Sequence, residues 1–365
     1  MTQNSFAANR ISSGITPSTN WKEQIEPGEG DLFERFAHNV LLPRQAQISQ
    51  RTDRPAQRAL HMKLHAGVIA EFQVLPDLPE HARFGVFREP RVFPALVRFS
   101  NGESSNIADK KPQPRGIAIK LIGVLGPKLL EDQKDAVTQD FLATSHSVTS
   151  TVRHVREFMA FIESSLDAER APPLLRLPFT FAILARKLGV SEAARIGIAL
   201  LRTVGLGEVR SLATERYFSP APIKFGPYAV KFTVQPVGET KPATNRPQTD
   251  DFLREELTDR LRTGDLMFDF VVQFYVNEKL TPIEDSSIPW TVEHVTVARL
   301  RIPQCDLLDP HTQVLSESMN RLSFSPWHTT EEHRPLGNVM RARKVAYQMS
   351  SGFRHSEPEP TSLPV

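Results

Sequence analysis

Hydrophobic positions in the first half of this chain recur with the two-residue period of strands. Residues 68–75, 95–100, 116–124 and 140–145 are short runs rich in β-branched and aromatic side chains, bounded by Gly, Pro and Asn. The period then changes. Residues 151–164, 174–188 and 191–204 place apolar side chains three and four apart, which predicts a block of helices inserted among strands, about 150–215. Longer strands resume at 225–235, 266–276 and 293–302, with a helix expected over 250–262. A last helix is expected over 334–353, opened by His333-Arg-Pro-Leu-Gly337. The pattern predicts an α+β fold: an antiparallel β-barrel with inserted and C-terminal helices. Residues 31–355 read as a single domain without internal repeats. The polar residues 1–30 read as a flexible N-terminal arm or surface strap, and 356–365 as a flexible tail.

Composition narrows the function classes. The chain has 365 residues, 40% hydrophobic and 24% charged, enough to bury a large core. Its 44 basic and 42 acidic residues leave a formal net charge of +2, so no overall field favours nucleic acid or an anionic membrane. Cys305 is the single cysteine, which excludes an intrachain disulfide and a thiolate metal cluster. The first ten residues lack a basic segment followed by an apolar one, and no apolar run is long enough to span a bilayer, so a cytoplasmic protein without membrane insertion is expected.

The candidate chemistry begins on the closing helix. Arg343, Tyr347 and Arg354 lie at −4, 0 and +7 relative to the tyrosine, which puts them on one helical stripe. A phenol ordinarily ionises near pH 10, so use as a phenolate ligand to ferric iron requires adjacent positive charge. Arg343 sits where it can supply that charge, and Arg354 where it can hold an anionic group. Arg-x-x-x-Tyr on its own also fits a buried tyrosine whose hydroxyl rests on an arginine. His61 and His65 are four apart, but no glutamate-bearing helix motif accompanies them, so a zinc site is not expected.

Further motifs occur in order: Arg58-Ala-Leu-His61-Met-Lys, Val97-Arg98-Phe99-Ser100 and Pro114-Arg115-Gly116-Ile117-Ala118-Ile119-Lys120. Together with Arg343-x-x-x-Tyr347, these runs resemble the haem-binding segments of the catalase superfamily. Val74-Leu-Pro-Asp-Leu-Pro79, Pro282-Ile-Glu-Asp285 with Trp290, and His333-Arg-Pro-Leu-Gly337 resemble its small branch, which includes mini-catalases and allene oxide synthase. The resemblance covers about residues 55–355 and implies a barrel that encloses haem b. It makes Tyr347 the proximal iron ligand, Arg343 its phenolate partner, and His61 the distal acid-base group with Ser100 on its other ring nitrogen. Arg58, Arg98 and Arg354 would clamp the haem propionates.

One position departs from that pattern. Catalases carry a distal asparagine after a strand, and aligning Gln139-Asp140-Phe141-Leu142 puts Ser145 there, with His146 beside it pointing the other way. Ser147 to Thr151 replaces the aromatic run that usually follows, leaving Phe158 or Phe161 to pack on the porphyrin. A serine reaches less far than an asparagine, which favours a peroxidase acting on hydrogen peroxide or an organic hydroperoxide over a full-rate catalase. Two other readings stay open: a specialised biosynthetic haem enzyme, such as a hydroperoxide isomerase, lyase or oxygenase, and a non-enzymatic haem carrier. A homodimer is expected.

Overall fold

The computed structural model describes residues 16–52, 58–102, 107–145, 152–204, 209–238 and 249–364. Two helices, α1 (Glu29–Phe36) and α2 (Leu42–Thr52), precede four strands: β1 (Leu64–Val74), β2 (Val92–Asn101), β3 (Arg115–Ile122) and β4 (Thr138–Ser145). The helical excursion follows, with α3 (Val155–Ala168), α4 (Arg176–Leu188) and α5 (Val190–Val204). Next come β5 (Tyr217–Phe218), β6 (Ile223–Phe225), β7 (Tyr228–Pro236), α6 (Phe252–Thr263), β8 (Leu266–Phe274) and β9 (His294–Ile302). Two helices close the chain, α7 (Pro310–Arg321) and α8 (Asn338–Phe353).

Neighbouring strands pair in the order β5-β4-β3-β2-β1-β9-β8-β7-β6, and β5 also pairs with β7. That extra pairing closes eight strands into a barrel and leaves β6 as a hairpin on its rim. All pairs are antiparallel. Closure removes the free strand edges that an open sheet would present.

Side chains alternate across the wall. Phe99, Ile117 and Ala143 lie opposite one another and belong to the main core. Phe72, Phe141 and Phe270 fill that interior, their rings 5.1–6.3 Å apart in edge and stacked arrangements. The neighbouring register positions Arg98, Ala118 and Leu142 therefore face outward.

That outer face is covered rather than solvated. Helix α7 packs on β1 and β2, where the Gly67 amide donates to Ser316 Oγ at 2.7 Å. A Cβ at Gly67 would come within 2.9 Å of Met319 Sδ, so glycine permits the close approach. Helix α8 packs against α1, α2 and α3 through Ala342, Phe33, Val155 and Met159.

Of the two forms expected for the N-terminal segment, its described part takes the surface strap, and the C-terminal tail is anchored as well. Residues 16–28 lie against the body: Ser18 N donates to Tyr275 O, and the Trp21 indole donates to Pro227 O at 2.8 Å. Residues 356–364 are anchored by Glu359, whose carboxylate reaches buried Lys120 at 2.6 Å and Thr138 at 2.7 Å. A polar sequence here signals ion pairing with the barrel rather than freedom.

Candidate functional site

Arg58 and His61 lie just before β1, where the chain turns into the barrel wall. His61 adopts φ 56°, a left-handed conformation that a non-glycine residue holds only when its surroundings fix it. Its amide donates to Gly102 O at 3.2 Å, and its carbonyl accepts from Arg98 Nη2 at 2.8 Å. The imidazole Nδ1 pairs with Ser100 Oγ at 3.1 Å. Gly116, beside Ser100 in the wall, completes the seat, because a Cβ there would come within 2.6 Å of His61 Nδ1. Burial first, then the charges of Arg98, Arg343 and Arg58, push the His61 pKa down to about 3, so the ring is neutral near pH 7.

Helix α8 is positioned from its beginning. Gly337 takes φ 85°, and its amide donates to Glu23 Oε1 at 2.9 Å, while the Asn338 amide donates to Glu284 Oε2 at 2.7 Å. Two carboxylates at a helix N-terminus suit the helix dipole. Arg341 ties them together with ion pairs to Glu23 at 2.7 Å and Glu284 at 3.1 Å, and its Nη2 reaches Glu29 at 3.0 Å. Farther along, Arg343 Nη2 donates to the Tyr347 hydroxyl at 2.8 Å, and its guanidinium lies 5.1 Å from the ring centre.

Three more guanidiniums gather beside this tyrosine and His61. Arg58 Nη2 donates to Leu322 O at 2.6 Å and Asn320 O at 3.1 Å, and Arg98 Nη2 donates to Asn320 Oδ1 at 3.1 Å. The Nε atoms of Arg58, Arg98 and Arg354 are buried without a hydrogen-bond partner. Among the described residues no carboxylate pairs with any of the three. Burial and then the charges of Arg98 and Arg354 push Arg58 well below the ordinary arginine range. Burial and then Arg354 lower Arg98 to about 9, and burial lowers Arg354 to about 10. A phenol oxygen at Tyr347 acts in the opposite sense on Arg58 and Arg98. The Glu317 carboxylate also acts to raise Arg98 and that of Asp140 to raise Arg58, but neither pairs with its arginine; guanidiniums with buried, unpartnered nitrogens are costly, so this cluster can receive negative charge.

Seven residues singled out in the sequence thus share one site: Arg58, His61, Arg98, Ser100, Arg343, Tyr347 and Arg354. Ser145 does not join them. Thr144, not Ser145, lies opposite Gly116 in the β3–β4 ladder, and Gly116 faces His61. Ser145 therefore points to the other side of the wall, where its hydroxyl accepts from the Arg115 amide at 2.9 Å. In a strand, a step of one residue exchanges faces. Phe158 is 39% exposed on α3 and stands outside the apolar cluster that joins this helix to α8, whereas Phe161 packs against α4 and α5. His146 and the run from Ser147 to Thr151 lie outside the described residues.

Asn320 and the Leu322 carbonyl, which orient Arg98 and Arg58, were not anticipated. Their signal was available in Asp309-Pro310-x-Thr312, a helix start in which Asp309 accepts from the Thr312 amide at 3.0 Å. His65 is a structural histidine, bonded through Nε2 to Asn101 Oδ1 at 2.6 Å.

No protein-family model matches the sequence, and no curated protein matches it. Solved structures do. A fungal catalase superposes with a TM-score of 0.60 at 16% identity, covering 95% of this chain and 67% of its own. A bacterial catalase gives 0.59 at 16% identity, covering 97% of this chain and 66% of its own. The chain spans about two thirds of the length of each. An eight-stranded antiparallel barrel, a helical excursion and a closing helix give this chain the catalase fold.

Proposed function

We propose that the chain is a haem protein that cleaves the O–O bond of an organic hydroperoxide or of hydrogen peroxide. The observation that carries this reading is the cluster of three arginines whose Nε atoms are buried and unpartnered, beside Tyr347 and a neutral histidine. Haem b carries two propionates, so its charge and donor needs fit the residues present: Arg58, Arg98 and Arg354 for the carboxylates and Tyr347 for the iron. When bound, haem supplies the iron at which a peroxide bond is broken.

The protein's own part is proton handling. His61 is neutral, so it can take a proton from a peroxide at Nε2 and return it to the departing oxygen. Nε2 is free to accept when Nδ1 carries the other proton and donates it to Ser100 Oγ, 3.1 Å away. Arg343 donates a hydrogen bond to the Tyr347 oxygen at 2.8 Å and supplies the positive charge that a phenolate needs.

Thr144 supports the choice of substrate. It occupies the outward-facing position beside Gly116, the glycine that seats His61, and we take it, rather than Ser145, as the counterpart of the distal asparagine: it carries a hydroxyl and a methyl group in place of an amide. A shorter, partly apolar side chain leaves room for carbon on the peroxide, which favours organic hydroperoxides. Purified protein supplied with haem should show Soret absorbance and consume a fatty-acid hydroperoxide faster than it releases oxygen from hydrogen peroxide. Oxygen release as the faster reaction would overturn the substrate preference. Absence of haem uptake would overturn the reading as a whole.

A further inference from the structure

The C-terminal tail is tied to the arginine cluster by contacts that the haem reading does not use. Helix α8 ends in a Schellman turn, in which the His355 amide donates to Gly352 O at 3.1 Å and the Ser356 amide to Ser351 O at 3.2 Å. The left-handed position of such a turn favours glycine, yet His355 holds it at φ 50°. A side chain stays in that conformation when its surroundings fix it, so the residues that follow must pin the reversed chain. Arg354, one of the three arginines of the cluster, immediately precedes the turn.

Beyond the turn the tail runs beside residues 321–324. The Glu357 amide donates to Arg321 O at 3.3 Å, its carboxylate pairs with the Arg321 side chain, and Glu357 bridges to Leu322 in parallel. Leu363 packs on the apolar cluster of Leu96, Met319, Leu322 and Phe324. Glu359 makes the deepest contact. Its carboxylate lies 2.6 Å from Lys120 Nζ and 2.7 Å from Thr138 Oγ1, both on side chains buried in the barrel wall. Lys120 also pairs with Asp140 at 2.7 Å and lies over the Phe324 ring, and Asp140 accepts from the Ser325 amide at 2.8 Å. Asp140 alone balances the charge of Lys120, so the wall does not need Glu359 for neutrality. What the second carboxylate adds is attachment of the tail.

The segment that the tail grips also orients the cluster. Asn320 O and Leu322 O accept from Arg58, and Asn320 Oδ1 accepts from Arg98. All three guanidiniums therefore depend on residues that the tail holds, Arg58 and Arg98 through 320–322 and Arg354 through the turn at its end. We propose that Glu359 is a positioning residue for this cluster, and that docking of the C-terminal tail sets how tightly the site holds a cofactor bearing carboxylates. With the tail docked, the donors are in place before the anion arrives; with it released, they must be ordered during binding. The identity of the cofactor rests on the haem reading, whereas the coupling rests on the hydrogen bonds.

Two measurements on the full-length chain test the proposal: haem release to excess apomyoglobin, and amide hydrogen exchange of the haem-free protein. Glu359→Gln removes the charge of the tail and leaves Lys120 paired with Asp140. Exchange at the Ser325 and Glu357 amides should speed up about tenfold or more, and haem release by a similar factor. The Soret maximum should stay where it is, because Tyr347 is untouched. Asn320→Ala should also hasten release, and the double variant should release haem within about twofold of the faster single one, since both act through one segment. Arg301→Gln, which removes exposed ion pairs on β9, should release haem at the wild-type rate. A wild-type release rate in Glu359→Gln, or fully additive effects with Asn320→Ala, would overturn the proposal and leave the haem reading standing. Failure of the wild type to take up haem would overturn that reading instead, and the coupling would then stand or fall on the exchange at Ser325, where an unchanged rate overturns it.

Discussion

His61 is held by its backbone as much as by its ring. A left-handed φ, an amide bonded to Gly102 and a carbonyl bonded to Arg98 leave the imidazole one seat, between Ser100 and Gly116. Substituting Gly116→Ala puts a methyl group where the ring lies, so the ring must move while the arginine cluster and Tyr347 stay in place. Displacement of an acid-base group by about 1 Å costs on the order of 100-fold in rate. The variant should therefore retain haem absorbance and lose about that factor in hydroperoxide turnover. Turnover within about twofold of wild type would mean that His61 has room to spare or no part in the reaction. The arginines and the tyrosine were legible in the sequence because their spacing and neighbours are distinctive. Thr144 was not, since it differs from Ser145 only by which face of a strand it occupies, and the sequence does not fix that register.

At the scale of elements, α8 is placed by its first turn, and the site depends on that placement. Glu23 from the N-terminal strap, Glu29 from α1 and Glu284 from the loop after β8 converge on Arg341, which is largely buried. Arg341→Ala would leave three carboxylates facing one another without their cation. The loss of charged hydrogen bonds should lower unfolding free energy by about 2–3 kcal/mol, readable in urea denaturation. A change below about 0.5 kcal/mol would show that solvent replaces the arginine. The β-alternation and the helical periods were readable because each element buries one face. Helices α1, α2 and α7 went unread. Their apolar faces are interrupted by charges that pair across the tertiary structure, such as Arg44 with Glu169, and polar residues satisfied at a distance look like loop in a linear sequence.

For the whole molecule, several histidines are buried without protons. His61 is lowered to about 3, His333 to about 4 and His328 to about 2, each mainly by burial, and His65 is lowered for the same reason. In the unfolded chain all four titrate near 6.5. Below that pH the unfolded state binds protons that the folded state does not, so stability falls as pH falls. Each contributes about 1.4 kcal/mol per pH unit within its window. Asp140 acts in the opposite direction, because burial raises its pKa despite the charge of Lys120, but it is one group against four. Haem-free protein should lose several kcal/mol of stability between about pH 6.5 and 4.5, by urea titration at stepped pH. A stability that holds or rises on acidification would contradict this balance.

The arm and tail also act at this scale. Glu23 and Glu359 carry the chain ends onto α8 and the barrel, contacts that joined positions more than 200 residues apart and that no local pattern announced. What unites the molecule is the site between barrel and closing helix, and its central claim is that Tyr347 holds iron. The ultraviolet-visible spectrum of Tyr347→Phe beside wild type, both supplied with haem, tests it most directly. Wild type should show the Soret and visible bands of a high-spin ferric haem, and the variant should lose them or shift to a spectrum without phenolate ligation. A variant that binds haem with an unchanged spectrum would contradict it.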